Sequence, residues 1–138
     1  MAKKKVLTYK GAVATWECDS NQHMNVMYYM NKYELAGRNM SMEIGVTKQL
    51  MQAHNLGIVV LEQVIKYKQE VFEDDILYIE STVEGFTDKV MTFHHVLKNG
   101  ITHEIIGSMI AKTIFLDKSK RKSIPIPEVI KSKLEKFL

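Results

Sequence analysis

An acid, an imidazole and two amides fall within seven residues of this chain: Asp19, Asn21, His23 and Asn25. A carboxylate and an imidazole so close can take a proton from water or attack a carbonyl carbon. The amides can hold a water or a carbonyl oxygen. Residues 16–25 lie between a short extended run and the longest helical pattern in the sequence. The group therefore sits in a loop that ends at a helix start. There, unpaired backbone N–H groups and the positive end of the helix dipole favour a negative oxygen. Two readings fit these residue types: a hydrolytic site, or a plain turn in which Asp19 and Asn25 only cap backbone N–H groups.

The flanking elements must hold this loop. Residues 6–16 read as a strand, with Val13 and Thr15 alternating against Ala12, Ala14 and Trp16. Val26, Met30, Tyr33, Gly37, Met40 and Ile44 step by 4, 3, 4, 3 and 4, which is one face of an amphipathic helix. Asn25 suits its N-cap and Gly45 its stop. The small Ala36 and Gly37 let it approach a sheet closely. Thr47 opens a short second helix running to about His54. Strands follow over residues 58–67, 76–84, 90–97 and 101–116. An acidic turn at residues 73–75 and a tight Asn99-Gly100 hairpin separate them, and Gly107 marks a bulge or bend. The run Ile58-Val59-Val60-Leu61 suits a strand covered on both faces. Residues 118–122 form a basic turn, and Pro127 opens a last helix with Ile130, Leu134 and Phe137 inward. One strand, a long helix and four strands make an α+β fold whose helix rests on an antiparallel sheet.

Bulk properties narrow the class. At 138 residues the chain reads as one domain over residues 1–138, burying about two-thirds of its unfolded surface. Hydrophobic residues are 46% and charged residues 25%, which is ordinary for a globular domain. A net charge of +3 gives a nucleic-acid partner little electrostatic support. No apolar run reaches the length of a membrane span. Residues 1–5 are basic, but no signal core follows. A lone cysteine cannot close an internal disulfide, which fits a reducing cytoplasm.

The string Asp19-x-Asn21-Gln22-His23-x-Asn25, followed by Tyr28 and Tyr29 on a helix, resembles the signature of hotdog-fold thioesterases. These include the 4-hydroxybenzoyl-CoA thioesterase-like group and the acyl-carrier-protein thioesterases. The Asp-x-Asn-Gln-His order is nearest the carrier-protein branch. Tyr67-Lys68-Gln69-Glu70 resembles the Tyr-basic-x-Glu stretch after the second strand of that branch. The resemblance covers roughly the whole chain in element order. It implies a hotdog fold: a long helix after the first strand, wrapped by a five-stranded antiparallel sheet. It implies hydrolysis of acyl-CoA or acyl-carrier-protein to free acid and thiol, without a cofactor or metal. It points to Asp19, Asn21, His23 and Glu70 as catalytic, and to Asn25, Val26, Tyr28 and Tyr29 as substrate contacts. It further implies a homodimer or homotetramer with sites between subunits. Carrier-protein enzymes often carry two hotdog modules; this chain has one, which favours an acyl-CoA-active member built from separate subunits. Many relatives carry a second Asn where Val26 stands here, which leaves the backbone N–H unaffected.

Two rivals remain. A hotdog dehydratase or hydratase would carry a His near a Phe-Pro-Pro-Gly type turn, or an Asp-x-x-x-x-His set before a Pro-Gly; neither is here, and Glu34 alone keeps the idea. A non-catalytic acyl-CoA-binding module would lack part of the Asp19, Asn21, His23 set. Cys18 beside His23 invites a thiol mechanism, but a cysteine before a turn reads as packing. His94 and His95 are adjacent on a strand and so face opposite ways, which prevents both from ligating one metal. Lys118, Lys120, Arg121 and Lys122 read as a solvated turn or as a clamp for coenzyme A phosphates. Met27 and Met30 read as core, or as lining of an adaptable acyl pocket.

Overall fold

A computed structural model describes residues 3–138; Met1 and Ala2, the start of the basic stretch, lie outside the described residues. The order is β1 (Val6–Ala12), a 3-10 turn (Thr15–Glu17), α1 (Val26–Glu43), α2 (Lys48–Ala53), β2 (Leu56–Tyr67), β3 (Ile76–Phe86), β4 (Val90–Asn99), β5 (Ile105–Asp117), β6 (Lys122–Ile124) and α3 (Glu128–Glu135). The strands form one six-stranded sheet, β1-β3-β4-β5-β2, with β6 also on β5, and every pairing is antiparallel. The α+β class and the long helix after the first strand are as expected. The sixth strand is new. β4 begins at Val90 opposite Ile114, and β6 takes over the stretch of β5 beyond it, Phe115 to Asp117.

α1 lies on one face of the sheet, and the alternation of the strands shows which. Leu77, Ile79, Ser81 and Val83 of β3 are buried, as are Met91, Phe93, His95 and Leu97 of β4. Their neighbours in sequence point to the other face. Helix residues Tyr29, Tyr33 and Ala36 join one core cluster with Leu77, Ile79, Leu97 and Met109. Met40 and Ile44 join a second with Val83, Met91 and Phe115, which α3 closes through Ile130, Leu134 and Phe137. That inward set of α3 is as the sequence reads. Each such aliphatic or aromatic side chain contributes about 1.5–3 kcal/mol on burial.

Several boundaries differ, for physical reasons. The first strand stops at Ala12 rather than Trp16 because the chain turns back on the acidic turn: Val13 N–H donates to Asp75 O (2.9 Å) and Asp74 N–H to Val13 O (2.9 Å). Trp16 is left 77% exposed. The inward stripe of α1 is Tyr29, Lys32, Tyr33, Ala36 and Met40, rotated from the stripe read in the sequence; Val26 is 57% exposed. Gly37 is not what lets the helix approach, since a Cβ there would meet nothing within 4 Å. The close contact is at Gly107, where a Cβ would stand 2.6 Å from Lys66 O. The sheet register shifts beside it, between Leu97 and Lys98, as a bulge does. Asn99-Gly100 is not a two-residue hairpin. Asn99 Oδ1 accepts from Ile101 and Thr102 N–H, and Gly100 N–H donates to Ile76 O (2.7 Å), so β5 starts only at Ile105. Finally, β2 is an edge strand bonded only to β5. Ile58, Val60 and Leu61 are 36–55% exposed, so the chain does not cover both faces of that run.

Candidate active site

The loop between the 3-10 turn and α1 is a tight, hydrogen-bonded structure. Asp19 N–H donates to His23 O (3.0 Å) and Gln22 N–H to Asp19 O (2.8 Å), with Gln22 at φ 64°. Cys18 and Met24 form an isolated antiparallel bridge. Asn25 N–H donates to Glu17 O (2.8 Å), and Met24 N–H to Val71 O (2.9 Å). The second bond ties the loop to the segment after β2, which carries Glu70.

Within this frame the Asp19 carboxylate is held at both oxygens. Oδ1 accepts from Asn21 N–H (2.8 Å) and Oδ2 from Asn25 Nδ2 (3.0 Å). The backbone bond from Asn21 is the main reason its pKa lies below the ordinary carboxylate value, aided by Asn25 and the nearby His23. These contacts favour the ionised form of Asp19. His23 stands between two acids: Nε2 is 3.8 Å from Asp19 Oδ1, and Nδ1 is 3.1 Å from Glu70 Oε1. Asn25 also caps α1 as the sequence suggests, its Oδ1 accepting from Met27 N–H (3.1 Å). That leaves the N–H of Val26, first in the helix, donating to no described residue.

Beside these groups lies a cavity of about 340 Å³, lined by His23, Val26, Tyr29, Tyr67 and Glu70 among others. Tyr29 is anchored there by its hydroxyl on Gln69 O (3.3 Å) and edge-on against Tyr67, ring centres 5.1 Å apart. The structure thus brings Asp19, His23, Asn25, Val26, Tyr29 and Glu70 together. Asn21 takes part through its backbone N–H while its residue is exposed. Tyr28 packs against the core instead. The basic turn is not nearby: Lys118 N–H donates to Asn55 O, at the far end of β2. From Gly57 to Tyr67 that strand spans roughly 30 Å. Cys18 is half-buried beside the core, its Sγ 3.9 Å from Ala14 O. Burial and the nearby Glu73 push its thiol pKa up, away from a reactive thiolate. His95 is buried, while His94 on the other face lies 3.3 Å from Glu84.

One functional pair escaped the sequence reading. Glu17 and Lys32 are both buried beneath the loop, 2.8 Å apart. Glu17 Oε1 also accepts from Ala14 N–H (2.7 Å), and Lys32 Nζ sits 5.4 Å from the Tyr9 ring centre. The pair clamps the loop base to α1. The only signal for it was a lysine lying between Tyr29 and Ala36 on the inward stripe. Among the described residues no helix is long and apolar enough to cross a membrane.

Comparison with solved structures finds the same architecture repeatedly. The hypothetical protein SAV2348 from Staphylococcus aureus, solved in complex with CoA, superposes with a TM-score of 0.89 at 15% identity, covering 99% of this chain and 85% of that one. YbaW, a probable thioesterase of Escherichia coli, gives 0.81 at 20% identity over 96% and 98%. Slr0204, a 1,4-dihydroxy-2-naphthoyl-CoA thioesterase from Synechocystis, gives 0.82 at 11% identity over 95% and 96%. No curated protein sequence matches. The sequence profile of the thioesterase-like superfamily matches residues 13–134, and this chain belongs to that superfamily, with its hotdog fold.

Proposed function

We propose that this protein hydrolyses an acyl-CoA thioester to the free acid and coenzyme A. Membership of the thioesterase-like superfamily supports thioester hydrolysis in general. The CoA bound to the Staphylococcus aureus neighbour favours CoA over a carrier protein as the thiol. The observation that carries the reading is the Asp19 carboxylate, held in its ionised form by Asn21 N–H and Asn25, in one loop with the open Val26 N–H at the head of α1. The thioester carbonyl oxygen lies at Val26 N–H, where the charge that develops on attack meets a donor and the helix dipole. One such donor is worth about 3 kcal/mol, or two to three powers of ten in rate. Asp19 acts on the carbonyl carbon directly, or draws a proton from a water that does so. In both routes one water is consumed, the C–S bond breaks, and the sulfur leaves as a good leaving group that takes up a proton. His23, held by Glu70, stands beside Asp19 to orient that water or pass the proton. A single turnover in ¹⁸O water separates the routes: water activated by Asp19 labels the product acid, whereas direct attack, with water then cleaving the anhydride at the Asp19 carboxyl carbon, labels Asp19 and leaves the product unlabelled.

The test is Asp19→Asn assayed on a panel of acyl-CoA esters with a thiol-trapping dye. Turnover falls by at least about two powers of ten with the fold unchanged. Near-normal hydrolysis by the folded variant would sink the assignment. The working unit is at least a homodimer. The support is β2, a twelve-residue edge strand whose Leu61, Val64 and Tyr67 are 46–55% exposed. A long apolar edge of this kind invites strand pairing with a second copy.

A further inference from the structure

A second cavity, of about 580 Å³, lies between α1, α2 and the inner face of the sheet. Its walls are largely apolar, with Met42, Val46, Met51, Ile58, Phe93 and Met109 among them. Glu34, Arg38 and Lys48 border it at exposed positions and Ser41, Thr47 and Gln63 at half-buried ones, while Tyr33, Thr113 and His95 bring polar atoms to its buried side. The hydroxyls of Tyr33 and Thr113 are buried without a hydrogen-bond partner among the described residues. Buried polar atoms are rarely left so, because desolvation without a partner is costly.

His95 adds a third free group, and counting protons shows its kind. Thr8 Oγ1 donates to Ile79 O (3.3 Å) and lies 2.7 Å from Ser81 Oγ. With the threonine proton assigned to the carbonyl, Ser81 donates to Thr8. Ser81 has one proton, so it accepts from His95 Nδ1–H across 2.5 Å. His95 is 2% exposed, and burial pushes its pKa down to about 4, so the ring is neutral. Its Nε2 is then a bare acceptor with no described partner. Nδ1 is turned toward β3, so Nε2 faces away from it, on the side where His95 borders the cavity. An acceptor accompanied by two hydroxyls is matched by a ligand hydroxyl, which donates once and accepts as well.

Residues of α1 border both cavities. Val26 and Tyr29 border the first cavity, and Tyr33, one turn on, borders the second. From Val26 to Tyr33 the helix rises about 10 Å. An extended chain advances about 1.1–1.2 Å per bond, by the reach of a polypeptide, so roughly nine bonds cover that distance. We propose that this cavity receives the far end of the acyl group, and that His95, with Tyr33 and Thr113, selects acyl chains of medium length that end in a hydroxyl. This rests on the thioesterase reading and names its substrate class.

The test compares 10-hydroxydecanoyl-CoA with decanoyl-CoA. The wild-type protein prefers the hydroxylated ester in kcat/KM by at least about tenfold, as sites built to bind a hydroxyl do. Thr113→Val and Tyr33→Phe delete unpartnered hydroxyls and so keep the fold, which circular dichroism checks. Each lowers the preference, and His95→Gln lowers it most. Equal kcat/KM for the two esters in the wild type overturns the proposal, as does a preference unmoved in both hydroxyl variants. If neither ester is hydrolysed, the wider acyl-CoA panel decides the thioesterase reading separately. Calorimetric binding of the same two esters then decides the cavity: tighter binding of the hydroxylated ester upholds it, and equal or absent binding overturns it.

Discussion

Lys32→Met is the perturbation that most directly tests how the site is held. Lys32 and Glu17 are almost wholly buried, and the Lys32 ammonium lies 2.8 Å from Glu17 Oε2. The methionine matches the lysine stem in volume, so packing is largely kept and the loss is electrostatic. It leaves the Glu17 carboxylate in the interior with one partner, Ala14 N–H on the other oxygen. Removing one member of a buried pair costs about 3–5 kcal/mol, because the remaining charge is uncompensated. For a domain of this size that lowers Tm by roughly 10–20 °C. The double variant Glu17→Gln, Lys32→Met carries no buried charge. Its glutamine still accepts from Ala14 N–H and leaves only an amide donor unsatisfied, at about 1–3 kcal/mol. The double variant is therefore more stable than Lys32→Met alone, a non-additivity that urea unfolding measures. Glu17 O also receives Asn25 N–H, so hydrolysis by Lys32→Met falls even below its melting point. A loss under about 1 kcal/mol for Lys32→Met, or a double variant weaker than the single, refutes the clamp.

Acid titration should expose His95. Its folded pKa of about 4 is below the 6.5 of the free group, so the unfolded chain binds more protons between those values. Stability is complete above pH 6.5 and falls as pH drops toward 4, by about 3 kcal/mol in all (2.5 units at 1.36 kcal/mol each); His95→Gln flattens that limb in urea titrations at successive pH. Asp19 acts in the same direction at lower pH: its stabilising charge is present above the free carboxylate pKa and is lost as pH falls below it, so Asp19→Asn leaves the limb between pH 6.5 and 4 in place. Cys18→Ala retains most activity, and an acyl group trapped on Cys18 would overturn the aspartate route. Val64→Asp, on the exposed edge strand, shifts the molecular mass by light scattering toward the monomer and lowers activity with it; a fully active wild-type monomer would remove the shared-site picture.

The elements were legible where local rules act alone. Asn25 as N-cap, Gly45 at φ 85° as helix stop, Thr47 capping α2 and the inward set of α3 are all read from neighbours in sequence. What was misread depends on distant partners. The end of β1 is set by bonds to Asp74 and Asp75, some sixty residues on. β6 exists because β4 stops short and leaves part of β5 unpaired. The string from Asp19 to Asn25 marked the loop, yet not that both Asp19 oxygens are already occupied. Nor could it show that Asn21 serves through its backbone, or that Lys32 lies beneath.

The helix stripe shows where periodicity reaches its limit. Val26, Met30, Tyr33, Gly37, Met40 and Ile44 share one side of α1, and a step of three and four residues states only that they do. It does not state what that side meets. Met40 and Ile44 are sealed in the core, whereas Val26 opens on the loop cavity and Tyr33 and Gly37 border the larger one. Apolar residues wanted for packing and those wanted for an acyl group obey the same spacing, because both exclude water. The polar atoms tell them apart. A core position carries no unspent hydrogen-bonding capacity, and Tyr33, Thr113 and His95 all do. The side of α1 toward β2 is therefore read as a binding wall, and the same unspent atoms that identify it also name the hydroxyl it would accept.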